Sequence, residues 1–581
     1  MLEHRDRNSP KSSMFRKVRR AYPLTSPFLT ILEGIRAESF LRIVGWGVVA
    51  VLVVSIGFLS CVPPVGKDAL THHLAVPKLY LKHGGIYEIP SMVVSYYPMN
   101  LDLLYLIPLY FGNDIVPKFI HFSFALLTSW LVFSYLKRRT STIYALLGVI
   151  FFLSVPIIVK LSITVYVDLG LIFFSTASLL LLLRWVEEGF GLRLLMVSAL
   201  LGGLAAGTKY NGLITLFLLT LLVPYLYSRY TRVGNPSSYK AAGYEVLFLF
   251  VALLVFSPWM IRNCIWTNNP IFPLYDHWFN PQNAMNRQTI SHFTFRSLVY
   301  HETWWQIALL PVRVFFQGRD GNPQYFDGKL NPFLLLLPFL AFYNMRGDPQ
   351  VLRGEKKILL AFAGLFFASA FLGSGMRIRY ISPIIPPLVF LSIFGVRNMA
   401  NVVSGVSGRY SRNMGFAAIF LIISLSLWLN AWYIRDQYEY VDPLKYLSGS
   451  SSRDEYIAKF LPEYPAMRYI NENLPHDARI LFIYLGNRGY YCEREYTFDM
   501  YRNRSAFRQL VKASSDPETI SLGLKGMEIT HLLICHDIFD KWVKASFTPK
   551  DREVMKAFFG KYVKLLFSKW GYGVSLIREP I

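Results

Sequence analysis

The sequence predicts an all-α polytopic membrane domain followed by a small α/β domain. Three observations carry this. Apolar residues come in blocks close to the roughly 20 needed for a membrane-crossing helix, most clearly at 42–62, 114–136, 241–261 and 414–433. Only 17% of the 581 residues are charged, against about a quarter in soluble domains. After residue 440 the charges return and no spanning block follows.

The net charge of +23 does not point to nucleic acid. The basic residues lie mostly in short segments between apolar blocks and in the tails, as in cytoplasmic loops of membrane proteins. No RNA- or DNA-binding motif accompanies them. The expected location is a bacterial inner membrane, with membrane lipids as surroundings.

Residues 1–41 read as a basic cytoplasmic tail, and 42–62 as an uncleaved first span. That run ends in Cys61-Val62-Pro63-Pro64, without a small-residue cleavage site. Charge then threads the chain. Residues 63–113 face outward, with 99–111 too short to cross, and 114–136 returns to the basic Lys137-Arg138-Arg139. Blocks 141–159 and 169–185 form the next pair. Residues 194–228 make two short crossings broken at Gly207-Thr208-Lys209-Tyr210-Asn211-Gly212, a break tolerated where protein or a cavity surrounds it. Residues 243–261 exit, and 262–330 form an aromatic outer loop. Residues 331–343 enter, 358–373 exit, 382–396 enter and 414–433 exit. The expectation is about eleven spans across 42–435, N-terminus inside.

Residues 436–581 are then a periplasmic α/β domain. Arg479–Leu485 and Thr530–Cys535 read as buried strands, Ser505–Ala513 and Asp551–Phe559 as helices, and Tyr562–Ile577 as a hairpin around Trp570-Gly571-Tyr572-Gly573. A Cys492–Cys535 bridge and two free thiols are both compatible with this placement.

The first outer loop is the most informative segment. In Val65-Gly66-Lys67-Asp68-Ala69-Leu70-Thr71-His72-His73, Asp68 and His72 stand four apart and share one face of a helix. A carboxylate there can take a proton from an attacking hydroxyl. It can equally cap a helix starting at Ala69, and the two roles are compatible. Asp168 lies where a second outer loop re-enters the bilayer, a costly place for a carboxylate without a partner or a function. On the same side stand Lys209, Arg262, Arg377 and Arg379, where basic residues should be depleted. Arginine can fork onto phosphate oxygens or stack on aromatic rings. Together these residues describe an outward site with acids to activate a hydroxyl and cations to hold a phosphate.

These segments resemble the bacterial GT-C membrane glycosyltransferases, a superfamily of protein mannosyltransferases, aminoarabinose transferases and lipopolysaccharide-core sugar transferases. The resemblance rests on Asp68-Ala-Leu-Thr-His-His-Leu with Pro77-Lys78-Leu79-Tyr80, on Tyr166-Val167-Asp168-Leu169, on Gly203 through Gly212, on Ser257-Pro258-Trp259 through Asn269-Pro270, and on Arg379-Tyr380. It spans about residues 40–435 and implies a GT-C-like fold. It further implies a polyprenyl-phosphate sugar donor, a lipid, glycan or protein acceptor, and inverting transfer. Asp68 is then the base and Asp168 the second acid, with His72, His73, Lys209, Arg262, Arg377, Arg379 and Tyr380 on the substrate side. The loop has Asp68-Ala69-Leu70 rather than paired acids, so a divalent metal stays an open question.

A transporter or flippase for a lipid-linked or anionic solute is the rival reading, since broken spans and buried charges suit it too. A transporter should line a path through the midplane, whereas the acids and cations here gather on one side. A non-catalytic scaffold would not need so ordered a polar loop.

Overall fold

A computed structural model describes residues 34–231, 237–284, 291–373, 375–499 and 505–578. Most of the basic tail therefore lies outside the described residues. The first helix among the described residues, Gly34–Ser60, begins before the apolar run that predicted it. The Glu38–Arg42 pair, one turn apart, carries the helix past the apolar limit.

Each apolar block contains a helix. Among the described residues seven helices are long and apolar enough to cross a membrane alone: Glu38–Ser60, Val116–Arg139, Asp168–Glu187, Gly212–Tyr230, Ser238–Thr267, Ile378–Ser404 and Arg409–Val441. Thr142–Ser154 and Pro156–Ser162 add an eighth if they form one span bent by 64°. Pro156 opens the second piece, and its missing N–H makes the break inexpensive. The other blocks are weaker. Leu192–Thr208 has 17 residues and Phe333–Leu340 has 8. Gln350–Gly373 is long enough, but Arg353, Glu355, Lys356 and Lys357 crowd its start.

Leu192–Thr208 sits tightly against its neighbours because of small residues. A Cβ on Gly203 would lie 2.4 Å from the Ala252 carbonyl oxygen of Ser238–Thr267. Close backbone approach of this kind is how helices gain packing energy in lipid, where burial from water contributes little.

The two ends of the bundle differ. At one end the basic segments predicted to lie together meet through buried ion pairs: Arg139 holds Glu187 and Glu355, and Lys356 and Arg397 share Asp348. At the other end the connection between the first two spans packs against the C-terminal region. Tyr491 Oη donates to the Pro64 carbonyl at 2.8 Å, and Tyr490 N–H donates to the Leu70 carbonyl at 3.3 Å. Lys78 pairs with Glu493 at 2.7 Å and Arg453 with Asp114 at 2.5 Å.

The C-terminal region carries a five-stranded sheet of order β2-β1-β3-β5-β4. Its strands are β1 (Arg479–Ile483), β2 (Glu495–Phe498), β3 (His531–Cys535), β4 (Val563–Lys569) and β5 (Tyr572–Ile577). β1 pairs in parallel with β2 and β3, and β5 runs antiparallel to β3 and β4. Alternation divides the faces. Leu481 and Ile483 join a core with Phe507, Ile520 and Phe558, while Ile480 and Phe482 join the main core. The two anticipated strands, both helices and the closing hairpin are present. β2 was not anticipated, because only one of its four residues is buried and they show no apolar run. Cys492 and Cys535 are buried free thiols.

Candidate active site

Asp68 follows the Pro63-Pro64 exit of the first span. Its backbone is already helical (φ −69°, ψ −29°), and its side chain makes no capping hydrogen bond. The capping role is therefore corrected. The following Ala69–His73 is a π-helix rather than an α-helix. Asp68 stays close enough to His72 for its charge to act on that ring. Asp68 Oδ2 also meets Arg379 Nη1 at 2.5 Å.

Asp168 begins the Asp168–Glu187 helix and is completely buried. Lys209 Nζ reaches its Oδ1 at 2.6 Å from the break between Leu192–Thr208 and Gly212–Tyr230. The break frees Lys209 from helical geometry, with φ −162° and ψ 145°. Its ammonium also lies 5.1 Å from the centre of the Tyr380 ring. The Arg379 guanidinium lies 5.1 Å from the Tyr166 ring and 5.2 Å from the Tyr380 ring. Asn211 Nδ2 ties the break to the Tyr380 carbonyl at 3.3 Å. Asp68, Asp168, Lys209, Arg379 and Tyr380 thus form one cluster.

Burial pushes the Asp68 carboxyl up, but the Arg379 guanidinium, with smaller contributions from His73 and Lys209, more than reverses this and holds it well below the usual carboxylate range. The four charges balance as two acids and two cations. Asp168 Oδ2 and Arg379 Nε are buried and, among the described residues, have no hydrogen-bond partner. Each pair therefore retains one polar atom that can serve a bound group.

His72 and His73 are stacked beside this cluster, with ring centroids 4.3 Å apart. His72 meets Tyr97 edge-on, and His73 meets Tyr166. Arg262 is one step further out. Its Nη2 donates to the Tyr97 carbonyl at 3.1 Å, and its guanidinium stacks on Trp259 and Trp266. Arg377 is not brought into the cluster. It points to Asp327 at 3.6 Å, where Lys160 also pairs. Burial raises the Asp327 carboxyl, and Lys160, Arg377 and Arg379 lower it further than that. Tyr97, Tyr166 and Asp327 were missed as site residues. Tyr166 was legible as a polar aromatic two positions before Asp168, whereas nothing local marks Asp327.

The family model for dolichyl-phosphate-mannose-protein mannosyltransferase matches residues 107–261. That segment includes Asp168 and Lys209. No curated protein matches the chain. Among solved structures, ArnT from Cupriavidus metallidurans in the apo state is 13% identical over 92% of this chain and 98% of that chain, with TM-score 0.51. The Archaeoglobus fulgidus oligosaccharyltransferase tethered with an acceptor peptide is 11% identical over 92% of this chain and 74% of that chain, with TM-score 0.50. At these identities the two structures bear on fold, and both extend over the membrane bundle and the C-terminal region.

Proposed function

We propose that this chain, a multi-pass membrane protein with the fold of the GT-C membrane glycosyltransferases, moves a sugar from a polyprenyl-phosphate donor to a hydroxyl acceptor. The reading places the transfer on the outer face of a bacterial inner membrane, with about eleven spans and the region after residue 435 outside. The acceptor is a lipid, a glycan or a protein. Support for the lipid-phosphate donor comes from the name of the matched family.

The observation that carries the reading is the meeting of the Asp68–Arg379 and Asp168–Lys209 pairs at one end of the bundle. A glycosyl phosphodiester carries one negative charge and leaves as a phosphate with a further charge. Arg379 and Lys209 supply positive charge where that charge develops, in a site shielded from water. Arg379 drawn to the donor phosphate loosens its hold on Asp68. Asp68 then recovers basicity beside the acceptor and takes the hydroxyl proton as oxygen attacks the anomeric carbon from the face opposite the phosphate. The configuration inverts. Asp168 keeps Lys209 in place throughout.

The test is incubation of the purified protein in lipid with polyprenyl-phosphate sugars. Release of polyprenyl phosphate with transfer of the sugar is expected. Movement of an intact lipid-linked sugar across sealed vesicles, without cleavage, would support the transporter instead.

A further inference from the structure

One buried cluster in the first connection has no part in the transfer described above. The π-helix Ala69–His73 presents His72 and His73 inward, and they are 8% and 5% exposed. Single-turn π segments recur at functional sites because they redirect adjacent side chains. Asp102, on the helix Asn100–Tyr110, is completely buried beside them. His73 Nδ1 and Asp102 Oδ1 are 2.7 Å apart. Each of the three residues can offer one ligand atom, and these atoms lie within 4.8 Å of one another. An independent observation points the same way. His72 Nε2 and Asp102 Oδ2 are sealed from solvent and, among the described residues, have no hydrogen-bond partner. Orphaned buried atoms of this kind call for an occupant.

We propose that His72, His73 and Asp102 bind a divalent transition-metal ion of the zinc class. Two imidazole nitrogens and one carboxylate oxygen suit zinc, whereas calcium and magnesium prefer all-oxygen cages. Three protein ligands leave one tetrahedral position for water or another group. With bonds of roughly 2.1 Å, tetrahedral ligand atoms stand about 3.4 Å apart, between the 2.7 Å of the His73–Asp102 pair and the 4.8 Å that bounds the group. The set includes neither Asp68 nor Asp168. Its effect is to fasten the π-helix that follows Asp68 to the Asn100–Tyr110 helix.

The experiment is metal counting on full-length protein in detergent, stripped with chelator and reloaded with zinc chloride. Wild type and the His83→Gln variant should each retain about one zinc per chain, with affinity at least about tenfold above His72→Gln and Asp102→Asn, since losing even an outer-shell partner of a ligand costs that much. His72→Cys should restore binding, since a thiolate ligates zinc. Zinc should raise the unfolding temperature of wild type and not of His72→Gln, and this reading separates a folded non-binder from a misfolded one. Absence of zinc from wild type, or full retention by both His72→Gln and Asp102→Asn, overturns the site. None of these readings uses sugar transfer, so the metal site can fail while the transferase stands, and the reverse.

Discussion

Arg379 Nη1 lies 2.5 Å from Asp68 Oδ2, so the side chain best suited to grip a phosphate is the one that holds the expected base. The two functions compete for one guanidinium. That competition can be measured.

Asp68→Asn keeps the shape of the side chain and removes its basicity. Because Asp68 makes no capping hydrogen bond, no cap is lost with it. Turnover should fall by ~10²–10⁴, the usual range for removing a general base, while donor affinity holds or rises. Turnover within a few-fold of wild type would move the base to Asp168.

Arg379→Ala should weaken donor binding by ~1.5–3 kcal/mol, the worth of a charged hydrogen bond. It also strands Asp68. In a double-mutant cycle with Asp68→Asn, thermal stability should show a coupling of ~0.5–3 kcal/mol, with the double variant less destabilised than the sum. Unchanged affinity for a polyprenyl-phosphate ligand would leave Arg379 as a ring-stacking residue only.

Lys209→Ala should cost more in folding than in binding. It leaves the fully buried Asp168 without its cation, and breaking a buried pair costs about 3–5 kcal/mol. Lys209→Met with Asp168→Asn should recover much of the thermal stability and none of the transfer. Stability unaffected by Lys209→Ala alone would mean that Asp168 is already solvated or protonated.

The pH dependence follows in sign. The native Asp68 carboxyl is depressed by Arg379, so its pairing stabilises the fold above the ordinary aspartate value of about 3.9 and is lost as pH falls through the lower native value. With donor bound, Arg379 is shared and the depression weakens. The acid limb of kcat should therefore lie at higher pH than that of kcat/KM. Coincident limbs would remove the competition from the mechanism.

Sidedness can be read with thiols. In a Cys264→Ser background, Lys541→Cys should react with an impermeant maleimide from the periplasm. Lys357→Cys, at the end rich in ion pairs, should not. Both residues are exposed. The reversed pattern would put the site on the cytoplasmic side and end the outer-face reading.

Much of the site was legible because lipid makes isolated charge conspicuous. Asp168, Lys209 and Arg379 stand among apolar residues, and each found a partner. Which partner was not legible, because Asp68 and Arg379 meet through folding and not through spacing. Arg377 illustrates the limit. It sits two residues from Arg379 in a similar context, yet turns to Asp327. The π-helix was illegible for a different reason, since apolar periodicity reports 3.6-residue turns and gives no sign of an added residue. In the C-terminal region, runs of buried aliphatics revealed β1 and β3, while β2 lies at the sheet edge with little to bury.

The ties from Lys78 to Tyr490 and from Tyr491 to Pro64 join residues 412 and 427 positions apart. At about 5–20 residues per second, the ribosome needs roughly 20–80 s to supply the second partner after the first has emerged. The loop bearing Asp68 is thus translated well before the segment that packs against it. A chain cut short before Tyr490 lacks both ties, and the loop bearing Asp68 is then left without them.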